Sequence, residues 1–133
     1  MLTTYVRTLL GSDPGLVAET VDINKIFLTH ALDTPQVRPF LVLNWGVTSP
    51  GLETVRRRVL QVWIHDDPGD YARIDRCLDS VYKALFDIAG INTGTVDKWI
   101  SQVIWDAFSE NMSDDAGGTI MRHADFTIVG SAA

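Results

Sequence analysis

The densest run of ligand-type side chains in this 133-residue sequence is His65-Asp66-Asp67, followed three positions later by Asp70. An imidazole beside two carboxylates has the donor set for a divalent cation or for general acid–base work. The spacing argues otherwise. His30, His65 and His123 lie far apart, none has a second histidine or a cysteine at a ligand interval, and the acidic residues lack the regular rhythm of a calcium loop. Asp67-Pro68-Gly69-Asp70 instead has the chemistry of a turn that starts a helix: Pro68-Gly69 bends the chain, and the Asp70 carboxylate is free to accept an N–H of the first turn. Nucleophilic chemistry has no better foothold. No serine sits in a glycine-flanked elbow, Cys77 has no assignable base, and Gly117-Gly118 precedes a strand pattern without the lysine of a phosphate-binding loop. The expectation is a protein that is not an enzyme, with no metal site and no cofactor.

The elements around that turn define the fold class. Val59, Leu60, Val62, Trp63 and Ile64 form a β-branched and aromatic run within a strand predicted over Val55 to His65, dense enough to predict burial on both faces. After the turn, a helix is predicted from Tyr71, capped by Asp70. Ile74, Cys77, Leu78, Val81, Leu85 and Ile88 recur every three or four residues against Arg73, Asp75, Arg76, Asp79 and Lys83, and Gly90 is placed to end the helix. Cys77 lies on the apolar stripe, as a core residue. Leu2 to Leu10 reads as a short docking helix ended by Gly11 to Gly15, and Leu16 to Leu32 as a helical turn followed by extended chain. Pro35 and Pro39 keep 34–39 irregular. Phe40 to Trp45 is a strand, and Ser49-Pro50-Gly51 a turn that makes a hairpin with the next strand. Asn92 to Thr95 is a loop. Over 97–108 periodicity favours a helix, whereas the strand formers Val103, Ile104 and Trp105 favour a strand. Ser113 to Gly118 is an acidic turn. Ile120 to Val129 alternates, with Ile120, Ala124, Phe126 and Ile128 on one face and Met121, His123, Asp125 and Thr127 on the other, before a frayed Gly130 to Ala133.

Composition sets further bounds. With 46% apolar and 21% charged residues the chain is an ordinary folded protein, expected as a single domain over 1–133. Eleven basic against seventeen acidic residues, net −6, argue against a general nucleic-acid binder. No apolar stretch is long enough for a membrane span, and the N-terminus lacks the pattern of a secretory signal, so synthesis in the cytoplasm is expected. Four tryptophans fill the core or lie at subunit contacts. Arg56-Arg57-Arg58 is a local basic cluster, and alternation sends Arg57 to one face and Arg56 and Arg58 to the other. These are solvated strand-end residues or partners for a neighbouring copy's carboxylates. Asp79 and Lys83 form an exposed i, i+4 pair worth ~0.3 kcal/mol.

The run Val62-Trp63-Ile64-His65-Asp66-Asp67-Pro68-Gly69-Asp70-Tyr71, continued by Arg73, Ile74, Asp75, Arg76 and Leu78, resembles the tail terminator proteins of long-tailed bacteriophages, particularly those of actinobacterial hosts. Pro39 to Gly46 and Met121 to Ile128 stand in the same order as in that family. The resemblance implies an α+β fold, a mostly antiparallel or mixed sheet of about four strands with helices packed on one face, and it favours a strand over 97–108. It further implies a homo-hexameric ring on the last ring of tail tube protein, at the tail–neck junction of the virion, facing the head-completion (neck) protein. DNA would pass through the bore without sequence-specific binding. Candidate interface residues are Arg56, Arg57, Arg58, Trp99, Trp105, Asp114 and Asp115, with the polar stretches Thr48 to Glu53 and Ser109 to Gly118 reaching toward an adjacent ring. The run Asn111 to Gly118 departs from the family pattern. The alternatives are a neck protein of the same virion, or a small α/β enzyme or ligand-binding domain using His65, Asp66 and Asp67 beside a deep apolar pocket.

Overall fold

A computed structural model describes residues 2–28, 37–50, 55–87, 100–114 and 118–131. Among these residues six strands form one sheet: β1 (Ile26–Phe27), β2 (Phe40–Pro50), β3 (Val55–Asp66), β4 (Ile100–Phe108), β5 (Met112–Asp114) and β6 (Thr119–Ser131). Their order is β1-β2-β3-β6-β4, and β5 pairs with the start of β6. Every pairing is antiparallel except the two-residue parallel match of β1 to β2. Three of the four long strands are those expected from residue patterning, and the fourth, β4, is the strand that the family resemblance favoured; the two short additions extend the sheet at its corners.

Strand alternation explains why helices lie against one face. Leu41 and Leu43 of β2, Leu60, Val62 and Ile64 of β3, Val103 of β4, and Ala124, Phe126 and Ile128 of β6 are all buried in one cluster with Val6 and Leu10 of α1 (Leu2–Gly11), Leu16 of α2 (Pro14–Ala18), and Ile74, Cys77, Leu78, Val81 and Leu85 of α3 (Ala72–Asp87). These are the i, i+2 positions of each strand and the i, i+3, i+4 positions of each helix. The expectation that β3 is buried on both faces fails at Val59, which is 38% exposed on the far face. What made the run look doubly covered is a row of cross-strand stacks: His65 lies parallel to Phe40 at 4.7 Å, and Trp63 packs 4.3 Å from His123.

Several local expectations shift. Asp70 accepts a hydrogen bond from the Ala72 N–H at 2.9 Å, while the Tyr71 carbonyl accepts the first helical bond from Asp75, so α3 starts one residue later than expected, at Ala72. β2 runs straight through Ser49 to Pro50 instead of turning there, and β6 continues through Gly130 to Ser131 instead of fraying. Residues 100–108 form a strand because all of them except Ser101 and Asp106 pair along β6, whose long ladder outweighs the local helical periodicity. Ser113 and Asp114, expected in the acidic turn Ser113 to Gly118, belong instead to the paired strand Met112–Asp114. Between α2 and β1 the chain makes a 3-10 turn at Ile23–Lys25, capped by Asp22. The expectations for 29–36, Gly51, Glu53, 88–99 and 115–117 lie outside the described residues.

Candidate functional site

Each residue of the conspicuous His65-Asp66-Asp67 run takes part in bonds that hold the fold together. Asp66 is buried and its two carboxylate oxygens take both arms of the Arg73 guanidinium, one at 2.7 Å, while one of them also accepts the Asp67 N–H. Burial pushes this carboxyl up, but the Arg73 hydrogen bonds and the Asp67 N–H prevail and hold it below its ordinary 3.8. Asp67 pairs with Arg38 at 3.1 Å, and Arg38 also donates to the Gly118 carbonyl, so one guanidinium ties the β3–α3 turn to the start of β6. His65 is buried with its Nδ1 3.3 Å from the Thr119 hydroxyl. The groove in front of this turn, about 370 Å³, is lined by Asp66, Asp67, Asp70, Arg73 and Arg76 among others, a charged rim and not a deep apolar pocket. Among the described residues no group of three His, Cys, Asp or Glu side chains converges as a metal would require. Cys77 is buried, and burial pushes its thiol up to about 12.

The surfaces suited to contact lie elsewhere. On the helix-bearing face, at the β4 edge of the sheet, Tyr82 and Phe86 of α3 meet Trp105 and Phe108 of β4: Tyr82 packs edge-on to Trp105 at 5.6 Å, and Trp105 lies 5.0 Å from Phe108. Phe86, Trp105 and Phe108 are 39, 43 and 37% exposed, the only large aromatics so exposed among the described residues. Beneath them Arg122 bonds Asp75 and sits 5.9 Å from the Phe108 ring. The far face carries Trp63, His123 and Asp125, with His123 Nδ1 2.6 Å from an Asp125 oxygen, and Gln61 accepting from both Asn44 and Trp63.

The arginines divide as alternation requires. Arg57 is exposed on the far face, opposite Ser49 and Val129, whereas Arg58 is half-buried on the helix-bearing face with its guanidinium 4.4 Å above the Trp45 ring. Arg56 belongs to the same strand end, opposite Gly130. Asp114 stands at the opposite end of the sheet, paired with Thr119, so the ten register positions of β6 separating it from Arg57's partner Val129 span ~33 Å. Trp105 is exposed at the β4 edge; Trp99 and Asp115 lie outside the described residues. Sequence reasoning missed the Tyr82–Phe86–Trp105–Phe108 strip. The i, i+4 spacing of Tyr82 and Phe86 was its readable half.

No family model matches the chain, and no curated protein matches it. Its fold, however, is that of a chain in the virion of a native gene transfer agent (GTA) particle: the two superpose over 98% of this chain and 95% of that one with a TM-score of 0.74 at 11% identity, a likeness of fold.

Proposed function

We propose that this chain is a structural protein of a tailed-phage-like particle and that it acts as the tail terminator, closing as a ring on the last ring of tail tube. The observation that carries this reading is the end-to-end fold match, in both directions, to a chain of a gene transfer agent virion. The ordered sequence resemblance to tail terminators supplies the finer role. A terminator has to present one ring face complementary to the tube and another that does not reproduce the tube's growing end, so that polymerisation stops. A rigid sheet backed by helices, with contact residues at its edges and ends, suits a task performed by shape. Six copies would enclose a bore through which DNA passes without sequence-specific contacts, in keeping with the net charge of −6. The other ring face would meet the neck protein, at the tail–neck junction of the finished virion, after synthesis in the host cytoplasm.

Light scattering on the purified chain, alone and with tube protein, tests the assembly. The expected result is a closed species at about six times the 14.7 kDa of one chain. A monomer that also ignores tube protein rejects the reading. Deleting the gene and imaging particles tests the role: overlong tubes identify a terminator, and tails of normal length detached from heads identify a neck protein instead.

A further inference from the structure

The aromatic strip at the β4 edge is built by a departure from regular strand geometry. Trp105 is paired with Phe126 and Phe108 with Ala124, both core-facing positions of β6. Three residues apart in an unbroken strand, Trp105 and Phe108 would point to opposite faces. The irregularity between Trp105 and Ala107 adds one residue and returns Phe108 to the side of Trp105, where Tyr82 and Phe86 complete the strip. Interrupting a ladder to gather four rings and leave three of them more than a third exposed makes poor sense for a core and good sense for a contact. The rim is acidic: Asp75 and Asp79 are more than half exposed along α3, each engaged by a cation of the same molecule, and Glu110 is exposed beyond β4 with no ion pair among the described residues.

The matching chemistry sits elsewhere on the same molecule. Arg57 is exposed with no ion pair among the described residues, in the middle of the densest positive run of an acidic chain. Guanidinium groups are attracted to aromatic faces and to carboxylates, and this molecule already places Arg58 over Trp45 and Arg122 beside Phe108. Arg57 faces away from the helices while the strip lies on their side, with β6 between them, so the two cannot meet within one molecule. We propose that a second copy of this chain occupies the strip, with its Arg57 set against Trp105 and the neighbouring rings and its carboxylate partner at the rim being Glu110. Two different patches meeting in this way give a head-to-tail contact, which closes into a ring when the rotation allows. The inference rests on the self-association proposed above and names the surfaces that mediate it.

The test uses the full chain carrying Arg57→Ala, Trp105→Ala or Phe86→Ala, each checked for an unchanged far-UV spectrum, with assembly followed by sedimentation. Each substitution is expected to weaken association about tenfold or more. The decisive sample is an equimolar mixture of the Arg57→Ala and Trp105→Ala proteins. One copy retains the strip and the other the arginine, so a mixed pair forms through one intact contact but cannot extend. Pair formation in the mixture beyond that of either protein alone supports the proposal. A mixture no better than its components overturns it, as do variants that assemble like the parent; the ring reading then stands with a different interface. A parent chain that stays monomeric with and without tube protein removes both.

Discussion

Replacing Arg73 by alanine strands the most deeply buried carboxylate of the β3–α3 turn. The Asp66 side chain is 4% exposed and would keep a single N–H donor, that of Asp67 at 2.7 Å. Removing one partner of a fully buried ion pair costs about 3–5 kcal/mol, because the remaining charge is desolvated and uncompensated. The Arg73 side chain, however, is 35% exposed. Water therefore already screens the pair and can enter the vacated space, which lowers the expected loss to about 2–3 kcal/mol. At ~2.1 cal/mol/K per residue, a chain of 133 residues loses about 3–4 °C of Tm per kcal/mol, giving a fall of about 6–12 °C by calorimetry at pH 7. Lys83→Ala is the internal control. It breaks the Asp79–Lys83 pair, exposed at both ends, and is expected to cost under ~0.5 kcal/mol. Combining Arg73→Met with Asp66→Asn should recover most of the loss, since the buried charge goes while the amide oxygen still accepts the Asp67 N–H. An Arg73→Ala protein that melts within the range of Lys83→Ala would show that Asp66 is not the desolvated, dependent group the geometry describes.

Acid should erase the same contribution. Asp66 and Glu19 both have carboxyl groups held below their ordinary values of 3.8 and 4.5, Asp66 against its burial by the bonds from Arg73 and Asp67, Glu19 by its hydrogen bond to Arg76. A depressed carboxyl stabilises the fold above its unfolded value and loses that contribution as pH falls through the folded one, so the Tm gap between the parent and Arg73→Ala should close below pH ~3.8 in a pH series. Asp70→Ala removes the acceptor for the Ala72 N–H and should lower stability by about 1 kcal/mol, with Asp70→Asn nearly neutral, in chemical denaturation. Cys77, buried and with its thiol pushed up to about 12, should resist thiol reagents at pH 8 and react fully once the chain is unfolded; prompt labelling of the native protein would place it elsewhere.

The parts of this fold that were readable in the sequence are those fixed by local chemistry. The apolar stripe of α3, the alternation of β6, the Pro68-Gly69 turn and the core position of Cys77 each follow from spacing within one segment, and each is found. The parts that were not readable depend on partners distant in sequence. β4 satisfied a helical template better than a strand, and only its pairing to β6 makes it a strand. The Val59–Ile64 run looked doubly buried because sequence cannot distinguish a second covering layer from aromatic and histidine side chains that shield one another across strands, as Phe40 with His65 and Trp63 with His123 do. The aromatic strip was hidden for a sharper reason. A strand read by strict alternation puts Trp105 and Phe108 on opposite faces, and a bulge, which no single residue of the segment announces, reverses that assignment.

Bulges also bear on how such a subunit would associate. A long, regular edge strand templates another strand through its backbone, without regard to sequence and without a natural stopping point. Among the described residues β2 is paired on its outer side by β1 at Leu41 and Val42 and loses register between Trp45 and Thr48, while β4 loses register twice, between Ile100 and Gln102 and between Trp105 and Ala107. Irregularities of this kind work against the flat geometry that edge-to-edge polymerisation needs. Recognition is then left to side chains, which select a partner and fix an angle. A capping ring requires that kind of contact, because an interface built from two particular patches is saturated when the last copy meets the first, whereas a bare backbone edge accepts one more strand indefinitely. The same bulge that spoils the β4 edge as a template is the one that brings Phe108 beside Trp105. In the proposed assembly a single inserted residue therefore disfavours open-ended growth and creates the surface through which closure occurs.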